Sequence, residues 1–131
     1  MKEKLDIYLK DPAYLCGRIM AILADIQYRA MGDVGAGIIQ RYYASASATP
    51  ALIIGRLIRL AKTGHLPKIE PVKRNWFDGQ LAQVWNELQE SPPVSLTLEK
   101  QTLFAMGYYQ QKAHRFNDKI EQSNSEINVV K

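Results

Sequence analysis

Through most of this chain apolar residues recur at three- and four-residue spacing, the period of a helix buried along one side. In the first such stretch Leu15, Ile19, Ile22, Leu23, Ile26 and Ala30 form one stripe, with Arg18, Asp25 and Arg29 on another face. Asp11-Pro12 supplies a start, because aspartate can accept from the free N–H groups of a first turn and proline at the first helical position gives up no hydrogen bond. Gly32 supplies a left-handed stop, so the predicted helix spans about 12–31. A second pattern, Ile38, Ile39, Tyr42, Tyr43 and Ala46, predicts a helix over about 34–47. Its start is weakened by Gly35 and Gly37, each costing roughly 1 kcal/mol relative to alanine.

Thr49 as cap and Pro50 as first residue open a third helix, about 50–63, that places Ile53, Ile54, Leu57, Ile58 and Ala61 inward and ends at Gly64. The segment 65–71, with its two prolines, reads as a loop. A fourth helix over about 71–90 carries Phe77, Leu81, Val84, Trp85 and Leu88 inward and stops before Ser91-Pro92-Pro93. The fifth, about 98–118, starts at Thr97, gains from Glu99 at the positive end of its dipole, and holds Leu103, Phe104, Met106, Gly107 and Tyr108. Residues 119–131 are polar and aperiodic and are expected to form a mobile tail. Nowhere do β-branched residues alternate long enough to require a sheet. The expected fold is all-α: residues 1–118 form a single five-helix bundle with short connections and a flexible C-terminal tail.

Length and composition fit that picture without naming a task. A chain of 131 residues, 47% apolar and 23% charged, has the profile of one globular domain. No apolar run approaches the ~20 residues needed to cross a bilayer, and the N-terminus lacks the pattern of a secretory signal. A cytoplasmic location is the default expectation, and a lone cysteine, Cys16, suits a reducing compartment. Charge is more informative in its distribution than in its total. Residues 41–74 hold seven basic side chains and one acidic one, so this segment carries +6 of a chain whose net charge is +4. A basic region on a balanced domain points to a polyanionic partner, nucleic acid above all; the plainer alternative is a solvated helix face.

Residues suited to catalysis are few. His65 and His114 are far apart, Cys16 sits in an apolar helix as a small core residue, and no CxxC, HExxH or paired-carboxylate pattern appears. The GDVGAG stretch at 32–37 lacks the lysine and the preceding strand of a phosphate loop. No enzyme activity, metal, cofactor or small-molecule substrate is therefore expected. Cations at helical spacing do recur. Arg56, Arg59 and Lys62 are three apart, and Tyr108, Lys112, Arg115 and Lys119 fall on one stripe of the last helix. Such ridges can track phosphates without sequence preference. Tyr42, Tyr43, Tyr108 and Tyr109 could stack on unpaired bases, with no more than one ring of each pair expected to be exposed.

Three blocks, AYLCGRIMAILADIQ, GDVGAGIIQRYYASASATPALIIGRLIRLAK and LTLEKQTLFAMGYYQQKAHRF, closely resemble the C-terminal helical region of the large subunit of type I-C CRISPR Cascade, in the same order and over about residues 12–117. A polypeptide of this region beginning at its own methionine resembles that complex's small subunit, which the family makes from a translation start inside the large-subunit gene. The resemblance implies an all-helical, non-catalytic subunit stacked along the inner face of an RNA-guided surveillance complex. Its implied partners are the backbone subunits, the large subunit, a second copy of itself and the displaced non-target DNA strand, with guide RNA touched only indirectly and no membrane involved. Carried onto this chain, the nucleic-acid-binding candidates are Arg41, Arg56, Arg59, Lys62, Lys73, Arg74, Lys112 and Arg115. Arg18 and Arg29 rank lower, since Asp25 and Asp33 could neutralise them. The alternative is a structural scaffold whose arginines pair with acidic neighbours and never meet DNA.

Overall fold

A computed structural model describes residues 5–32 and 37–113, and within them every regular element is helical. They are α1 (Pro12–Met31), α2 (Ile38–Ala48), α3 (Pro50–Leu60), α4 (Pro71–Leu88) and α5, described over 98–113. Between α3 and α4 the chain runs through a π-helical turn, Ala61–His65, and a 3₁₀ turn, Leu66–Lys68. The fold is thus an all-α bundle.

The start of α1 forms as its sequence dictates. Asp11 Oδ1 accepts from the Ala13 N–H at 2.9 Å, Pro12 opens the helix, and Gly32 at φ 74° closes it with its N–H donating to the Tyr28 carbonyl. The Asp11 carboxyl also takes a 2.6 Å hydrogen bond from Lys100 Nζ, tying the beginnings of α1 and α5. Burial would push this carboxyl up, but the Lys100 and Ala13 hydrogen bonds outweigh it and leave its pKa below the ordinary value.

The single apolar stripe expected on α1 is a correction. Every residue from Ala13 to Leu23 is buried, because α1 is the central helix. The other helices surround it: α2, α3 and α4 pack directly on it, and α5 crosses it where Gly17 meets Phe104 and Gly107 meets Tyr14. Arg18, Asp25 and Arg29 therefore do not share a solvent face. Arg18 is buried, with Nε donating to Gln111 Oε1 at 2.8 Å and Nη1 3.3 Å from Glu87 Oε2; Arg29 lies 3.8 Å from the buried Asp25. Cys16 is buried as a core residue, and burial pushes its thiol up to about 12, with Asp11 adding to the effect.

Other boundaries also shift. Residues 33–36 lie outside the described part, and Gly37 is extended, so the described helix α2 begins at Ile38, whose N–H is taken by Gln27 Oε1 of α1 at 2.8 Å. Thr49 does not cap α3 with its side chain, because its hydroxyl donates back to the Ser45 carbonyl. The chain does not open into a loop at Gly64 but continues helically to Lys68. Helix α4 ends at Leu88, two residues short of the expected position, as Gln89 turns left-handed at φ 62°. On α4 Phe77, Leu81, Val84 and Leu88 are buried, whereas Trp85, expected inside, is 39% exposed. Thr97 does cap α5, accepting from the Lys100 N–H at 3.2 Å. The expected tail and the last turn of the fifth helix fall outside the described residues.

Candidate nucleic-acid interface

The basic residues singled out by sequence fall into distinct settings. Arg56 and Arg59 are exposed on α3, Arg41 is exposed on α2, and Lys73 is exposed in the first turn of α4. Among the described residues none of these four side chains has an ion pair or a hydrogen bond. They are cations held in water, free to meet an anion.

Helix α3 presents its arginines outward because its other side is committed. Pro50, Ile54, Leu57 and the following Ala61 are buried, with Ile53 and Ile58 half-buried beside them, which leaves positions 51, 52, 55, 56, 59 and 60 outside. Lys62 prolongs the ridge into the π-helical turn, its Nζ 4.0 Å from Asp78 Oδ1 of α4. Both side chains of that pair are more than half exposed, so water screens it and it holds Lys62 weakly.

Arg74 is differently employed. Its Nε donates to the carbonyls of Leu66 (3.0 Å) and Ile69 (3.2 Å), and its Nη2 to those of Ile69 (2.9 Å) and Pro67 (3.2 Å). The guanidinium thus gathers carbonyls of the 3₁₀ turn and of Ile69 just after it, reinforcing the Ile69 N–H bond to Leu66, and one fork nitrogen remains uncommitted. Lys112 rises from α5, apart from the α3 ridge, with Nζ 5.9 Å from the centre of the Tyr108 ring. Arg115 lies outside the described residues.

The tyrosines pack mostly into the bundle. Tyr108 is buried and Tyr109 exposed; Tyr42 and Tyr43 are both half-buried. Tyr43 meets Phe104 and Tyr108 edge to face at 5.5 and 5.2 Å, and burial, with smaller contributions from Tyr109 and Tyr108, raises its pKa. The exposed aromatics that sequence reasoning missed are Trp76 and Trp85, with Tyr8 and Tyr28. The signal for Trp85 was available: Val84 already fills the inward position, and the next residue points about 100° away.

The match to known families covers all of these elements. Residues 1–116 match the family described as CRISPR-associated protein (Cas_Csd1). The chain belongs to the Cas_Csd1 family. No curated protein matches it. Membership makes it a CRISPR-associated protein of the Cascade type, and the Cas_Csd1 match takes in the whole α3 ridge together with α5. Among the described residues no cluster of three metal-ligating side chains occurs, and no helix is long and apolar enough to cross a membrane.

Proposed function

We propose that this Cas_Csd1 chain serves as the helical small-subunit module of a type I-C Cascade complex. In this reading it takes no catalytic part, stacks along the interior of the complex beside the backbone subunits, and prolongs the R-loop by holding the displaced non-target strand through its phosphates. The observation that carries the proposal is that Arg56 and Arg59 are exposed and without ion pairs on one helix of a CRISPR-associated chain, with Arg41 and Lys73 equally free nearby in sequence. R-loop formation is nearly balanced in energy, so a few phosphate contacts are enough to shift it. Arg74 is moved from the binding set to a supporting one, since its guanidinium shapes the turn that follows α3.

The test uses assembled complex containing this chain. Arg56→Ala with Arg59→Ala should leave assembly intact by size-exclusion chromatography and shorten the R-loop lifetime several-fold. If the double variant assembles and retains target DNA as well as wild type, the α3 ridge is not a DNA surface and the chain acts as a scaffold only.

A further inference from the structure

The aromatic side chains exposed among the described residues, Tyr8, Tyr28, Trp76, Trp85 and Tyr109, differ in what supports them. Tyr109 ends a ladder of rings that climbs out of the core. Phe104 is fully buried, and Tyr43 of α2 stands edge to face on it with ring centres 5.5 Å apart. Tyr108, also buried, meets Tyr43 at 5.2 Å, and Tyr109 meets Tyr108 at 4.9 Å with the two planes at 86°. The phenol groups of the three tyrosines are close enough to act on one another: after burial, Tyr109 and then Tyr108 raise the Tyr43 pKa.

The ladder starts from a fixed point. At Gly107, the residue before Tyr108, the backbone of α5 lies against that of α1, and a Cβ there would overlap the Tyr14 carbonyl. Tyr109 is 57% exposed, so its ring is held from within by Tyr108 while much of its surface faces water. A surface ordered in advance loses less entropy when something stacks on it.

Tyr108 also carries a cation. Lys112 Nζ stands 5.9 Å from the centre of the Tyr108 ring, and beyond that ring the lysine has no ion pair or hydrogen bond among the described residues. The exposed ring and the ammonium are thus neighbours through one shared ring. No carboxylate competes for the ammonium from these helices. Helix α2 holds no acidic residue, and Glu99 of α5 lies ten residues before Tyr109, about 15 Å along the helix. Of the other exposed aromatics, Trp76 has a ring neighbour in Phe77 but no cation, and Tyr8, Tyr28 and Trp85 have neither contact among the described residues.

A free aromatic face beside a lone ammonium suits a ligand whose flat, uncharged ring is joined to an anion. An unpaired nucleotide has that make-up, whereas a duplex keeps its base faces stacked inside. Helix α3 contains no aromatic residue, so its arginines can grip phosphates but cannot tell a single strand from a duplex.

We infer that Tyr109 is a stacking platform for one unpaired base of a single DNA strand, with an adjoining phosphate on Lys112 and the ring braced from beneath by Tyr108 and Tyr43. This rests on the DNA-binding reading above and adds to it the group that distinguishes an unpaired strand.

The full-length chain is titrated at low salt with end-labelled oligothymidylate and with an abasic strand of equal length, which keeps the phosphates and lacks the bases, following label anisotropy. Tyr109→Leu should weaken oligothymidylate binding about tenfold and leave the abasic strand unaffected, while Tyr109→Phe, which keeps the ring, should bind as wild type does. Lys112→Ala should weaken both strands alike. A loss from Tyr109→Leu shared equally by the two strands would mean that the ring acts through the fold and not on a base, and would overturn the platform. Oligothymidylate binding that needs Arg56 and Arg59 but ignores Tyr109→Leu would also remove it, leaving the DNA-binding reading in place. No anisotropy change with the wild-type chain would sink both. If Tyr109→Leu spares oligothymidylate affinity and instead prevents assembly with other Cascade subunits, the ring belongs to a protein contact. Oligouridylate separates DNA from guide RNA: it should bind no tighter than oligothymidylate, and a tenfold preference for it that depends on Tyr109 would refute the assignment to DNA.

Discussion

Gly17 and Gly107 let α1 and α5 meet backbone to backbone. A Cβ on Gly17 would overlap the Phe104 carbonyl, and one on Gly107 the Tyr14 carbonyl. Neither obstacle is a flexible side-chain tip, so the helices themselves must separate. Gly17→Ala or Gly107→Ala should therefore destabilise the chain by about 3 kcal/mol in urea unfolding. Gly79→Ala reverses the sign: the added Cβ meets nothing within 4 Å, and better helix propensity should add up to about 1 kcal/mol. Equal effects at the two kinds of site would show that the α1–α5 crossing is looser than described. Cys16 offers a second residue-level test. With burial raising its thiol to about 12, almost no thiolate exists at neutral pH, and the side chain is closed to solvent. Iodoacetamide should leave it unmodified in the native chain and label it once denaturant is added; rapid native labelling would contradict its place in the core.

At the level of elements, Arg18 joins α1 to α4 and α5 through Glu87 and Gln111, and Glu87 also takes Lys10 at 2.9 Å. Burial lowers the Arg18 pKa and the Glu87 carboxylate partly offsets this, so removing the carboxylate strands a buried cation. Glu87→Ala should cost about 3 kcal/mol, while Arg18→Met with Glu87→Leu should recover most of the loss. The π-helical turn carries a pH dependence through His65. Burial first, then Lys68, lowers its pKa beneath 6.5, so the unfolded chain binds the proton more readily than the native one. The contribution to stability is complete above pH 6.5 and declines as pH falls through that value towards the folded pKa. Thermal unfolding between pH 7.5 and 5.5 should show the decline, and His65→Gln should remove it. The helices themselves were legible because period, caps and prolines are local: Asp11-Pro12, Gly32 and Thr97 do in the structure what their chemistry requires. The central position of α1 was not, since the partners that neutralise Arg18 come from residues 87 and 111, too distant in sequence for a single stripe to announce. The continuation past Gly64 was hidden for a similar reason, because Arg74 holds that turn from the following helix.

For the molecule as a whole, the central helix places the chain's candidate chemistry on the outer ring of helices. The concentration of charge in residues 41–74 was plain in the sequence, but which of those cations are available depends on three-dimensional neighbours. Arg74 is engaged by four carbonyl contacts and Lys62 has Asp78 within reach, while Arg56 and Arg59 are free. Salt dependence can separate these roles, because each phosphate neutralised on a single strand releases bound counterion and contributes about −0.7 to the slope of log K against log salt. Arg56→Ala with Arg59→Ala should make that slope shallower by about 1.4, two phosphate contacts' worth, without lowering thermal stability. Arg74→Ala should do the opposite: it takes the guanidinium donor from the Leu66, Pro67 and Ile69 carbonyls and lowers the melting temperature, yet leaves the slope for the folded chain unchanged. A shallower slope from Arg74→Ala, or none from the α3 pair, would exchange the two roles and move the phosphate track from α3 to the start of α4.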